Sequence, residues 1–142
     1  MYDEILFPTD GSEPANGAAD HAFELASTYR ATLHVLYVLK TNEPPPQVED
    51  PAADDDPDAR GKAAVEETAE RAAAQGIEAV EAIVRGPTAD AIVTYADEHG
   101  IDLIVMGTHG RTGLDRILIG SVADEVTRSA PVPVMTYHPP GD

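Results

Sequence analysis

Five short apolar runs alternate with helical stripes from one end of the chain to the other, and that alternation most tightly limits its fold. The runs are Tyr2 to Pro8, Thr32 to Leu39, Ile77 to Val84, Ile101 to Met106 and Val132 to Tyr137. Between them apolar residues recur at helical spacing: Ala15, Ala18, Ala22, Leu25 and Ala26 within Pro14 to Tyr29, then Ala89, Ile92, Val93 and Ala96 within Pro87 to Glu98. An alanine-rich helix is expected from about Pro57 to Gln75, stopped by Gly76, and another over Ser121 to Ser129. Gly100 closes the helix before it, and Ser12 is placed to cap the first, with Glu13 and Pro14 in its opening turn. Strands separated by helices pair in parallel through right-handed crossovers. The 142 residues therefore read as one domain, 1–142, an α/β protein built as a three-layer α/β/α sandwich.

Two segments add detail. Asn42 to Asp58 holds Pro44-Pro45-Pro46 and Asp54-Asp55-Asp56 with few apolar residues, and is expected to be a mobile acidic surface loop rather than a metal-binding cluster. Pro131 and Pro133, two apart, lack N–H groups on the same side of the last strand. Proline is tolerated at a sheet edge or at a strand's first residue, so this strand is expected at an edge, with donors at Val132 and Val134 facing inward. Its apolar edge offers a place for a second copy, giving a homodimer through about Val132 to Tyr137.

Composition narrows the partners. Twenty-six acidic residues face nine basic ones, of which only Lys40 and Lys62 are lysine, for a net charge of −17. That balance argues against nucleic acid and against anionic membranes. Acidic excess, scarce lysine and many alanines point to a salt-loving host, a halophilic archaeon, where the Debye length falls to about 3 Å at 1 M salt. Cysteine is absent, no stretch approaches the roughly 20 apolar residues of a membrane span, and the start lacks a leader pattern. A soluble, cytoplasmic protein is expected.

In an open α/β sheet, ligands sit beyond the carboxyl ends of the strands, where the strand order reverses. Two loops there carry suitable residues: Pro8-Thr9-Asp10-Gly11 after the first strand, and Gly107-Thr108-His109-Gly110 after the fourth. They line one crevice if the strand order is 3-2-1-4-5. Nine residues after Gly110, Gly120-Ser121 opens the next helix, where free N–H groups and the helix dipole favour an anion. Glycine lets main-chain N–H groups approach phosphate oxygens with no Cβ in the way. Asp10 can accept hydrogen bonds from ribose hydroxyls; taken singly, each of these residues reads equally well as a turn or a cap. No G-x-x-x-x-G-K-[ST] is present, and Gly107, Gly110 and Gly113 form G-x-x-G-x-x-G rather than G-x-G-x-x-G, so neither a Walker loop nor a dinucleotide fingerprint fits.

The spacing Gly107-x2-Gly110-x9-Gly120-Ser121 resembles the nucleotide motif of the universal stress protein family, in its ATP-binding branch. Ile5-Leu6-Phe7-Pro8-Thr9-Asp10-Gly11-Ser12, Val105-Met106-Gly107-Thr108-His109-Gly110, Gly120-Ser121-Val122-Ala123 and Ala130-Pro131-Val132-Pro133-Val134 resemble its other hallmarks, across nearly the whole chain. The resemblance implies a Rossmann-like fold of the adenine nucleotide alpha hydrolase type. It implies Pro8, Thr9 and Asp10 beside adenosine, with Asp10 on the ribose and Val38 against adenine. Met106, Gly107, His109, Gly110 and Arg111 would flank the phosphates on one side, and Gly120, Ser121, Val122 and Ala123 on the other. Mg²⁺ would then be coordinated mainly by the phosphates.

His109 and Arg111 can donate to phosphate or lie exposed in the loop. His21, His34, His99 and His138 show no metal-ligand spacing and read as surface or packing residues. No Ser-His-Asp or Cys-His set and no positioned base is visible, so no catalytic residue is assigned. The leading expectation is an ATP-binding regulatory protein with at most slow hydrolysis. A true nucleotide hydrolase or phosphotransferase, and a dimeric interaction module that binds no nucleotide, are the alternatives.

Overall fold

The computed structural model describes residues 2–9, 13–39, 57–107 and 122–137. In chain order it has β1 (Glu4–Pro8), α1 (Glu13–Tyr29), β2 (Thr32–Leu39), α2 (Pro57–Ala74), β3 (Ala79–Arg85) and α3 (Thr88–Glu98). Then come β4 (Leu103–Gly107), a helix α4 described over 122–129, and β5 (Val134–Tyr137). All strand pairs are parallel and the sheet order is β3-β2-β1-β4-β5, as the two candidate loops require. The expected acidic loop falls mostly on residues 40–56, outside the described ones, and its last two residues, Pro57 and Asp58, already belong to α2. Among the described residues no helix is long and apolar enough to cross a membrane.

Each face of the sheet carries its own core. Ile5, Phe7, Leu33, Val35, Leu103 and Val105 pack against Ala18, Ala22, Phe23 and Ala26 of α1 and Val65 and Ala72 of α2. Leu6, Leu36, Val38, Ile104 and Met106 pack against Ala89, Ile92 and Ala96 of α3 and Ala123 and Val126 of α4. Odd- and even-numbered side chains of β1, β2 and β4 thus serve opposite cores, as the two-residue repeat of a strand demands. This explains why those runs are continuously apolar rather than alternating: both faces are covered.

Three of the four described helix-to-strand turns, those after α1, α2 and α3, share one construction. The N–H of Ala31 donates to the carbonyl of Ala26, Ile77 to Ala72 and Ile101 to Ala96, at 2.9, 3.0 and 3.0 Å. Each closes over a residue in the left-handed region: Arg30 (φ 56°), Gly76 (φ 80°) and Gly100 (φ 62°). This is the helix stop in which the second residue past the end reaches back into the last turn. Gly76 and Gly100 are the stops expected from the sequence, whereas Arg30 adopts the same conformation with a Cβ to accommodate.

Four strands begin two residues later than their apolar runs suggest: Glu4, Ala79, Leu103 and Val134. Ile77 and Ile101, at 6% and 3% exposure, are buried approach residues bonded back to their helices. Burial selects apolar residues before the ladder starts, so hydropathy overestimates strand length.

β5 is an edge strand, as its prolines imply, but with the opposite orientation. Ile104 N–H donates to the carbonyl of Pro133 at 3.0 Å, so Pro133 faces β4 and lies just before the first strand residue. Alternation then turns the N–H and C=O groups of Val134 and Thr136 outward, to the open edge. The inward donors expected at Val132 and Val134 are therefore corrected: the proline is accommodated by its position ahead of the strand.

Candidate functional site

The chain reverses its strand order at β1, with β2 on one side and β4 on the other. β1 pairs with β2 along five residues, Glu4↔Thr32 to Pro8↔Leu36. With β4 it pairs only at Ile5↔Leu103 and Leu6↔Ile104. The carboxyl ends of β1 and β4 thus run on past their last paired residues, to Pro8 and Gly107, where an open α/β sheet has its ligand crevice.

Seven of the expected site residues lie among the described ones. Pro8 and Thr9 end β1; Thr9 is buried and its N–H donates to the carbonyl of Leu36 at 2.9 Å. That bond turns the Leu36 carbonyl toward β1, so Val38, two residues on, turns its own N–H and C=O the same way, beyond the last rung of the ladder. The side chains of Val38, Met106 and Ala123 belong to one buried cluster, with half-buried Val122 packed against it. Gly107 ends β4 and is buried. The structure therefore brings Val38, Met106, Val122 and Ala123 onto one face of the sheet, next to the ends of β1 and β4. An apolar wall beside outward-turned backbone donors and acceptors suits a flat heteroaromatic base.

Asp10, His109, Gly110, Arg111, Gly120 and Ser121 lie outside the described residues. The described chain leaves β4 at Gly107 and resumes in α4 at residue 122. Five of those six residues fall in the sequence between β4 and α4.

The model of the universal stress protein family matches residues 1–138. The chain belongs to the universal stress protein family. Universal stress protein MJ0531 of Methanocaldococcus jannaschii is 35% identical, over 99% of this chain and 84% of its own length. A universal stress protein solved in complex with cAMP superimposes with a TM-score of 0.73 at 31% identity, covering 96% of this chain and 97% of that one. The universal stress protein from Archaeoglobus fulgidus solved in complex with dAMP gives 0.70 at 25%, covering 96% and 98%. The sheet order and layers are those of universal stress proteins.

At the opposite pole of the sheet lies a polar cluster that sequence reading did not isolate. His34 is buried on β2, with Nε2 2.6 Å from Glu4 Oε1 and Nδ1 2.8 Å from Tyr95 Oη. With its proton on Nε2, His34 donates to the Glu4 carboxylate and accepts from the Tyr95 hydroxyl, satisfying all three groups. His99 stacks on Tyr95 with ring centroids 3.8 Å apart, and its Nδ1 donates to the Tyr95 carbonyl. Asp102 Oδ2 accepts from the N–H groups of Asp3 and Glu4 at 2.9 and 3.0 Å. His34 is a buried packing residue, and His21, 5.1 Å from the Tyr137 ring, and His99 are surface residues with ring contacts, within the expected surface or packing roles; His138 lies outside the described residues. The available signal for the cluster was a histidine inside the apolar run Thr32 to Leu39, which a strand buried on both faces tolerates only with hydrogen-bond partners.

Burial raises the Tyr95 pKa above the ordinary phenol value, and the Glu4 carboxylate acts in the same direction. The folded state therefore keeps this proton at pH values where the unfolded chain releases it. Its contribution to stability is full below about pH 10 and is lost as pH climbs through the raised value. Denaturant unfolding between about pH 8 and 11 should show stability falling on the alkaline side, and less steeply in Tyr95→Phe. Equal alkaline slopes in the two proteins would rule out Tyr95 as the source.

Proposed function

We propose that this universal stress protein binds ATP in the crevice between β1 and β4 and acts as a regulatory stress-response protein that holds the nucleotide rather than turning it over. The observation that carries this reading is the gathering of Pro8, Thr9, Val38, Met106, Gly107, Val122 and Ala123 around the strand-order reversal. Gly110, Gly120 and Ser121 follow in the sequence between β4 and α4. The relatives solved with cAMP and dAMP support an adenine nucleotide as the ligand class. In this reading Val38 presents its side chain and backbone to adenine, Asp10 holds the ribose, and His109 and Arg111 donate to phosphate beside the Gly107, Gly110 and Gly120 backbone and Ser121. Mg²⁺ is held mainly by the phosphates, and the cysteine-free chain works in the cytoplasm. The sequence holds no Ser-His-Asp or Cys-His set, and Asp10 is better used on ribose than as a base, which favours holding over hydrolysis.

Calorimetric titration should give saturable ATP binding in the parent. In Gly110→Val combined with Gly120→Val it should weaken by about tenfold or more, a loss of about 1.4 kcal/mol. Equal affinity in parent and variant removes the assigned site. Multiple turnover at about 1 s⁻¹ or faster, within the usual enzyme range, would show instead that the protein spends ATP.

Two further features belong to this reading. The net charge of −17 belongs to a protein adapted to concentrated salt, where screening relieves its self-repulsion. Dialysis from molar to low salt should lower the melting temperature or unfold the chain, as followed by circular dichroism; identical melting curves contradict it. The open β5 edge, with Met135 40% exposed beside outward-turned Val134 and Thr136, is the surface of a homodimer. Thr136→Pro removes an outward N–H and leaves the β4 side of the ladder intact, so it should halve the molar mass measured by light scattering. Unchanged mass places the contact elsewhere.

A further inference from the structure

The sheet has a second open edge. β3 ends it on the side away from β5, and no strand among the described residues lies beyond it. Leu33 N–H donates to the carbonyl of Glu78 at 2.8 Å, and Gly86 N–H to that of Leu39 at 3.0 Å. Even-numbered residues of β3 therefore pair with β2, and Ala79, Glu81, Ile83 and Arg85 turn their N–H and C=O groups outward. Their side chains share the sheet face that carries Val35 and Tyr37. Glu81 and Arg85 are exposed, and Ile83 is 42% exposed. No ion pair among the described residues engages either charge.

We propose that this edge pairs antiparallel with the β3 edge of a second copy of the chain, centred on Ile83. A two-fold axis at Ile83 sets Ile83 against its counterpart. It also sets Glu81 of each copy directly opposite Arg85 of the other, giving two opposite-charge pairs across one apolar contact. The pattern Glu-x-Ile-x-Arg is self-complementary only in this register. A two-fold centred on Glu81 or on Arg85 puts like charges face to face, and one centred on residue 82 or 84 sets both charges against apolar or uncharged neighbours. Charged residues on an edge strand ordinarily discourage pairing. Here their symmetric spacing about Ile83 discourages every register but one. The strand is short, so the contact is concentration-dependent and distinct from the one at β5, on the opposite edge. The general repulsion between chains of −17 is screened in molar salt, which is where it forms best.

The chain has no cysteine, so single-cysteine variants report on this contact alone. In the otherwise native chain, mild oxidation of Ile83→Cys should yield a disulfide-linked dimer, because residues at the two-fold axis lie within disulfide reach, about 5.5 Å between Cα atoms. Val80→Cys, exposed to a similar degree at 37%, lies off the axis and should yield none. With the β5 edge blocked by Thr136→Pro, sedimentation in molar salt should show a concentration-dependent dimer. Arg85→Glu or Glu81→Arg alone should raise its dissociation constant about tenfold, and the two together should restore it. Absence of the cross-link in Ile83→Cys, a blocked-edge chain that stays monomeric, or single reversals without effect would each overturn the proposal. A β5 dimer that persists without the cross-link separates failure here from failure of the β5 assignment.

Discussion

β1 is paired on both edges and covered on both faces, and the rest of the molecule is arranged around that burial. Ile5, Leu6 and Phe7 are all at 0% exposure. Each such side chain contributes about 1.5–3 kcal/mol when fully removed from water. Two opposed cores meet through this strand, so α1 and α2 must lie on one side of the sheet and α3 and α4 on the other. A right-handed chain can build that only by going outward from β1 to β2 and β3, then crossing back to place β4 on the other side. The reversal follows from this arrangement: two crossovers leave in opposite directions at the carboxyl ends of β1 and β4, which is where open α/β sheets take their ligands.

The two poles of the sheet consequently have different chemistry. At the amino ends, side-chain and backbone hydrogen bonds are closed: Asp102 holds the start of β1, His34 joins β1 to β2 and α3, and three helix stops of one design deliver the chain into its strands. At the carboxyl ends the ladder between β1 and β4 stops early and the backbone at Val38 points past it. Among the described residues, the side-chain hydrogen bonds of Asp102 and His34, which tie strands to one another and to α3, lie at the pole away from the candidate site.

Much of this was legible in the sequence, for a physical reason. Parallel strands buried on both faces must be apolar without alternation, so the five runs stood out, and Gly76 and Gly100 marked helix ends because left-handed backbone favours glycine. What was misread has equally definite causes. Strand starts were placed two residues early because Ile77 and Ile101 are apolar for packing and not for pairing. The donors of β5 were turned the wrong way because proline spacing reveals which residues share a side, and not which side meets β4. Arg30 gave no sign of its left-handed conformation, since its side chain carries no preference for it. Of the candidate site, Pro8, Thr9 and Gly107 stood out in their loops, whereas Val38, Met106, Val122 and Ala123 came only through family resemblance, having no chemistry of their own that marks a site.

By itself the sequence determined the element order, the parallel α/β class, the spacing of its glycines and its net charge, because periodicity, turn chemistry and composition are local properties. Only the tertiary structure decided which side chains share a face at the crevice, which N–H groups point to the open edges, and that His34, Glu4 and Tyr95 form one buried cluster. Those three residues are separated by 30 and 61 positions along the chain. Their meeting depends on strand register and helix docking, which are set by burial summed over the whole sheet and leave no mark at any single position.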